Sequence, residues 1–217
     1  MTEPFAPYQE LANRLLAAFD ADRGGGSHDL SHIVRVWRNA SRIARTEPGS
    51  DMELLFGATL LHDCVPVEKN SPDRPFASRL SARRAREIVA PLEWSAARVD
   101  AMAHAIETHS FSAGLMPITL EAKILRDADR LDAIGAIGIA RCFHVGGRIG
   151  GALYHPDDPG AAARALNDQA YALDHFAAKL FKLGDGFLTA EGQRLAAARA
   201  ALMRDFVAAF LTELDGV

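Results

Sequence analysis

Apolar positions recur along this chain at intervals of three and four residues, the period of a helix with one buried face. No segment keeps the two-residue alternation of a half-buried strand. Leu11, Leu15, Ala18 and Phe19 mark the inner face of a first helix over about 7–22, and "RGGGS" at 23–27 breaks it. Val36, Ala40 and Ile43 mark a second helix over about 28–46, ended by "EPGS". A third, "MELLFGATLL", starts at Met52 and ends before Pro66. The loop "PVEKNSPDRP" leads to a fourth over about 76–90, with Arg79, Arg83, Arg84 and Arg86 on its outer face. Ser95 reads as the N-cap of a fifth helix that reaches His109. After the connection "FSAGLMP", Thr119 opens one long helix, "LEAKILRDADRLDAIGAIGIARCF". Its small-residue run "AIGAIGIA" suits close approach of another helix. The glycine-rich "HVGGRIGGALYHPDDPG" follows, long enough for a lid or binding loop. Two helices, about 161–183 and 189–214, close the chain. The pattern predicts an all-α helical bundle.

Several polar residues break the rule that these inner faces are apolar. On the second helix His28 and His32 continue the stripe of Val36, Ala40 and Ile43. On the third, His62 shares a row with Leu55 and Thr59, and Asp63 shares the next row with Phe56 and Leu60. On the fifth, His109 extends the stripe of Met102, Ala105 and Ile106, with His104 on its flank. On the sixth, Asp127 lies in the row of Ile124 and Leu131, and Asp129 in the row of Leu125 and Ala136. A buried carboxylate must be neutralised or paired. Four helices that aim His or Asp inward share a ready solution in one divalent cation, which accepts imidazole and carboxylate together. The competing explanation is a buried His–Asp hydrogen-bond network without metal. The doublet His62-Asp63 decides nothing alone, since His28-Asp29 repeats it. Singly, His144, His155 and His175 read as ordinary hydrogen-bonded histidines.

Composition narrows the partners. The 217 residues, 49% apolar and 24% charged, suit a globular domain with a substantial core. A net charge of -4 argues against a coat for duplex nucleic acid, while leaving room for a small anion held by a local cation. Cys64 and Cys142 have no paired spacing, so no disulfide framework is expected. The opening "MTEPFAPYQE" is unlike a secretory signal, and no apolar run reaches the ~18 residues of a membrane span. A cytoplasmic protein with no membrane partner is the expectation, and a homodimer is the commonest closed assembly.

"HIVRV" at 32–36, "LLHDC" at 60–64 and "LRDADRLDAIGAIG" at 125–138 resemble the H…HD…D signature of HD-domain metal-dependent phosphohydrolases, in order, helical setting and separation. "AIETHSFSAG" and "ALDHFAAKLFKL" resemble a small bacterial subgroup of them. The resemblance implies one HD domain over 1–217, with its signature core at about 25–140 and the helices of 161–214 packed on it. It puts the metal ligands at His32, His62, Asp63 and Asp129, with Asp127 the rival to Asp129 and His28 the rival or neighbour of His32. It implies a divalent ion, Mn²⁺ first, with Ni²⁺, Co²⁺, Fe²⁺, Zn²⁺ and Mg²⁺ as other choices for mixed N and O donors. Asp63, Lys69, His104 and His109 take catalytic roles by the same resemblance. Lys69, Arg74, His104, His109 and Lys179 are the candidate substrate contacts. Many relatives continue the doublet as His-Asp-Ile-Gly-Lys; here it runs "HDCVPVEKN", without the glycine and with Lys69 displaced. The implied substrate is a phosphoester or phosphoanhydride, a nucleotide in this subgroup, with cleavage of a triphosphate to monophosphate and pyrophosphate. A non-catalytic metal or nucleotide sensor and a di-iron oxygenase on the same fold are the alternatives.

Overall fold

A computed structural model of the chain describes residues 3–17, 30–68, 71–110 and 113–215. Among them the helices are α1 (Gln9–Leu16), α2 (Leu30–Ala44), α3 (Met52–Leu61), α4 (Ala77–Val89), α5 (Ala96–His109), α6 (Leu120–Asp132), α7 (Gly135–Arg148), α8 (Asp174–Ala178) and α9 (Ala190–Leu214). The described residues form no strand, only an isolated parallel bridge between Ala152 and Tyr171. No described helix is long and apolar enough to cross a membrane. The all-α architecture read from periodicity is therefore present. The chain divides into two compact units, Met1–Asp129 and Arg130–Val217.

The first unit is built around α3. Every residue of it from Leu54 to Leu61 is buried, so it has no solvent face at all. Such a helix needs its ends fixed by polar groups, because its sides cannot reach water. Asp51 caps it by accepting from the Leu54 N–H, and Arg98 grips the same carboxylate at 2.6 and 2.8 Å. Helices α1, α2, α4 and α5 pack against α3. Tyr8 stacks on Phe56 with centroids 5.2 Å apart, and the Trp37 ring meets Phe56 edge-on at 4.9 Å. The expected N-caps are in place at Ser95, which accepts from Arg98 N–H, and at Thr119, which accepts from Ala122 N–H.

The second unit departs from the expected pattern in three places. The long helix is broken at Ala133-Ile134 into α6 and α7. Gly135 takes a φ of +76°, and a Cβ there would press on Arg199 of α9 at 2.9 Å. Gly135 thus turns a corner that apolar periodicity alone carries straight through. The glycine-rich loop begins later than expected, since α7 continues to Arg148. The expected helix over 161–183 shrinks to α8 and a 3-10 turn over 180–184. Side chains compete for that backbone instead: Asp158 accepts from Ala162 and Ala163 N–H, and Asn167 caps Ala170 N–H. Arg164 then closes the loop with a two-pronged bond to the buried Asp174. Phe143, Phe176, Phe206 and Phe210 form the aromatic centre of this unit.

Candidate metal centre

Two helix ends set the chemistry of the site. A helix leaves its last carbonyls without partners, and a histidine in the last turn can satisfy one. At the end of α3, His62 Nδ1 lies 2.7 Å from Thr59 O. At the end of α5, His109 Nδ1 lies 2.6 Å from Ile106 O. A carbonyl only accepts, so Nδ1 carries the proton in both rings and Nε2 presents a lone pair. Both histidines are buried, at 0% and 6% exposure. Thr59 is itself tied down, its hydroxyl donating to Leu55 O.

His32 and Asp129 come to the same place from α2 and α6, which are joined beside Asp129 where Asn39 Nδ2 donates to Ala128 O. His32 Nε2 lies 3.3 Å from His62 Nε2 and 3.4 Å from Asp129 Oδ1. His62 Nε2 is 3.8 Å from Asp129 Oδ1 and 3.9 Å from Asp63 Oδ2. His109 Nε2 is 3.6 Å from Asp63 Oδ1. The donors form two triads that share His62, one with His32 and Asp129, the other with Asp63 and His109. Two ligands of one ion, each bonded at roughly 2.0–2.2 Å, cannot be more than ~4.4 Å apart. The separations above satisfy that limit.

The charge pattern points the same way. The lone pairs of His62 and His109 face the carboxylates of Asp63 and Asp129. Acceptors aimed at acceptors repel, and one proton on His32 Nε2 relieves only one contact. A divalent cation would satisfy either triad. Burial first, then the neighbouring His62, push the His109 imidazole below its ordinary pKa, against the pull of Asp63 and Asp129. The shift favours the neutral ring, and the Ile106 bond leaves its lone pair on Nε2.

A cavity of about 100 Å³ opens onto this cluster, lined by Asp63, Arg74, Pro75, Ala77, Ser78, His109, Ser110 and Asp129. Arg74 sits on its rim with Nη1 anchored 3.1 Å from Val67 O. Asp127 belongs to neither triad; it is 1% exposed, whereas the Asp129 side chain keeps 27%. His104 stands apart. It precedes His109 by five residues, which turns it well away around α5, and its Nε2 accepts from Ile118 N–H at 3.1 Å. Lys179 belongs to the second unit and is exposed. Lys69 and His28 lie outside the described residues. The basic face of α4 is largely paired: Arg79 with Glu107, Arg84 with Glu87, Arg86 with Asp100. Cys64, next to the doublet, is held as a neutral thiol. Burial pushes it up to about 11, and its Sγ–H points to Ser81 O.

Sequence reasoning missed Ser78 and Ser110 among the lining residues. For Ser78 a signal was present: it heads the buried stripe Ser78, Ser81, Ala82, Ala85, Ile88 and Val89, a polar start to an inward face.

The HD domain family model matches residues 29–134. YpgQ of Bacillus subtilis (strain 168), an uncharacterized protein, is 31% identical over 194 residues, covering 88% of this chain and 86% of YpgQ. The crystal structure of an HD-superfamily hydrolase from Bacillus thuringiensis superposes with a TM-score of 0.74 at 28% identity, over 96% of this chain and 99% of that one. YpgQ crystallised in complex with ADP gives a TM-score of 0.70 at 28% identity, over 98% and 97%. The ordered H…HD…D residues, their convergence on one buried cluster and these relatives agree: the chain belongs to the HD-domain superfamily of hydrolases.

Proposed function

We propose that this protein is a metal-dependent phosphohydrolase that cleaves a phosphoester or phosphoanhydride by attack of water. The substrate is a nucleotide, and the favoured reaction converts a nucleoside triphosphate to its monophosphate and pyrophosphate. One observation carries the reading. His109 and the carboxylates of Asp63 and Asp129 line a cavity that has an arginine on its rim, and His62 Nε2 lies within 3.9 Å of both carboxylates. Cluster and rim suit a cation and a phosphate respectively. The ADP bound to YpgQ supports a nucleotide as ligand.

His32, His62, Asp63 and Asp129 would hold the ion, with Mn²⁺ the favoured one. When bound, such an ion lowers the pKa of water and polarises a phosphoryl group. The chain's own residues supply the rest. His109 Nε2, beside Asp63, would take the proton from the attacking water and return it to the leaving oxygen. Asp63 Oδ1 stabilises the imidazolium formed in between. Arg74 neutralises phosphate charge, a role for which Lys69 is the second candidate by sequence. A new P–O bond forms to water as the bond to the leaving group breaks.

The test is a panel of nucleotides and phosphate esters assayed with Mn²⁺, Mg²⁺ and Ni²⁺, with phosphate and pyrophosphate measured separately. Pyrophosphate release from triphosphates is the expected result. Absence of hydrolysis with every metal overturns the proposal. Two irons per chain with oxygen uptake would place the protein among di-iron oxygenases instead.

A further inference from the structure

Helix α4 begins at the cavity wall. Arg74 and Pro75 precede its first turn, Ala77 and Ser78 form that turn, and all four line the cavity with Asp63, His109 and Asp129. The N-terminal end of a helix carries partial positive charge and is usually compensated by a capping side chain or an acidic first turn. Here a 3-10 turn over Arg74–Phe76 leads straight into α4 and pairs the Ala77 N–H with Arg74 O, but no side chain caps the helix and its first turn holds no acid.

A second observation is independent of the helix end. Ser78 is 3% exposed, and its Oγ is buried without a hydrogen-bond partner. Helical serines that find no other partner commonly bond the carbonyl one turn back; Ser78 does not. Leaving a buried hydroxyl unpaired costs stability, and such groups in native folds mark a strain reservoir or an absent ligand. The setting says which. Ser81, one turn further on the same face, accepts the Val65 N–H on its Oγ at 3.2 Å, and its carbonyl accepts the Cys64 Sγ–H. That face of α4 therefore lies against the segment that directly follows Asp63. Ser78, nearer the helix start, stands on it at the cavity. Arg74 spends one of its five donors on Val67 O, and its charge stays at the rim.

We propose that Ser78 Oγ, the first turn of α4 and the Arg74 guanidinium form the seat for a substrate phosphoryl group, across the cavity from Asp63 and Asp129. This deepens the phosphohydrolase reading and rests on it. Hydroxyl, helix end and guanidinium together offer several donors on one wall of the cavity, which suits the several non-bridging oxygens of a phosphoryl group better than the two of a carboxylate. The Ser78 hydroxyl donates to one of them and gains the partner that the protein withholds.

The experiment is equilibrium dialysis of labelled inorganic phosphate against the Mn²⁺-loaded full-length protein, wild type and Ser78→Ala, with thermal unfolding and Mn²⁺ affinity measured alongside. Ser78→Ala is expected to bind phosphate about tenfold more weakly, as befits loss of one hydrogen bond to a charged group. Its Mn²⁺ affinity stays the same. Its melting temperature stays equal or rises, because an unpaired buried hydroxyl has been removed. Ser78→Cys keeps the size and most of the burial while weakening the donor, and falls between. Equal phosphate affinity in wild type and Ser78→Ala overturns the seat. So does a Ser78→Ala protein that melts earlier or fails to fold, or a wild type that binds no phosphate. The nucleotide panel on the wild type is read separately: hydrolysis with Ser78-independent phosphate binding overturns only the seat, and Ser78-dependent binding without hydrolysis overturns only the enzyme.

Discussion

His32 Nε2 and His62 Nε2 face each other at 3.3 Å in a buried setting, and the proton of His62 is committed to Thr59 on the other side of its ring. The pair could hold an ion that the two rings share. A ligand that binds only the folded state raises stability by mass action, by about 2.7 kcal/mol at a hundredfold excess over Kd. Mn²⁺ is therefore expected to raise the melting temperature of the wild type, and EDTA to reverse the rise. Asp63→Ala removes a carboxylate that faces both His62 and His109, and its melting temperature is expected to be indifferent to Mn²⁺. A full Mn²⁺ response in Asp63→Ala would remove this cluster as the binding site.

The two aspartates of "DADRLD" separate on the same measurement. Asp129 Oδ1 is 3.4 Å from His32 Nε2, whereas Asp127 lies outside both triads. Asp129→Ala is expected to lose Mn²⁺ binding and turnover while folding well, since its side chain is partly open to the cavity. Asp127→Ala is expected to keep Mn²⁺ binding but to be less stable, because Asp127 is buried and partnered, and its loss leaves a polar group in the core unsatisfied. Calorimetric titration with Mn²⁺ and a urea melt of each variant distinguish the two. The reverse assignment of the losses would move the ligand to Asp127.

These aspartates also show what a helical wheel can and cannot disclose. Row counting favours Asp127 because its neighbours Ile124 and Leu131 are larger, and Asp127 is indeed the more buried. A group that serves a cavity keeps some exposure, so the most buried carboxylate is not the one that reaches the histidines. For His62 and His109 burial and reach coincide, because each closes the end of its helix, and both were legible from their rows. The inward aim of α2, α3, α5 and α6 was legible too. The break before Gly135 was not, since apolar spacing runs unbroken through "LDAIGAIG" and nothing local reveals that α9 presses on that corner. Nor was the loss of helix over 161–173, where "AAARAL" has helical spacing but Asp158, Arg164 and Asp174 bind the segment into a loop.

That loop should respond to acid. Hydrogen bonding from Arg164 first, aided by the Asn167 N–H, holds the Asp174 carboxyl below its ordinary range, against the opposing effect of burial. A carboxyl depressed in the folded state binds more protons when unfolded, so stability rises with pH through this range. The contribution is complete above the unfolded pKa, near 4, and is lost as pH falls through the lower folded value. Asp174→Asn is expected to be less stable at neutral pH and to lose less stability on acidification. Urea midpoints at pH 7 and in steps below pH 4 test this. Parallel acid profiles for wild type and variant would show that the pair contributes nothing to pH dependence.

Two glycines of α7 should give opposite results when replaced by alanine. A Cβ on Gly138 would collide with the backbone carbonyl oxygen of Ala133, at the corner where α6 hands over to α7, and would also approach Met203 of α9. A backbone atom cannot swing aside as a side-chain end can, so relief requires the corner itself to open. Gly138→Ala is expected to destabilise by roughly 1–3 kcal/mol, the range for overpacking at a tight site. A Cβ on Gly147, in the last turn of the same helix, meets nothing within 4 Å. There alanine only improves helix propensity and reduces the freedom of the unfolded chain. The gain for Gly147→Ala is expected at about 0.4–1 kcal/mol. Equilibrium unfolding of both variants in urea checks the pair, and a neutral Gly138→Ala would mean that the turn between α6 and α7 is not fixed by that contact.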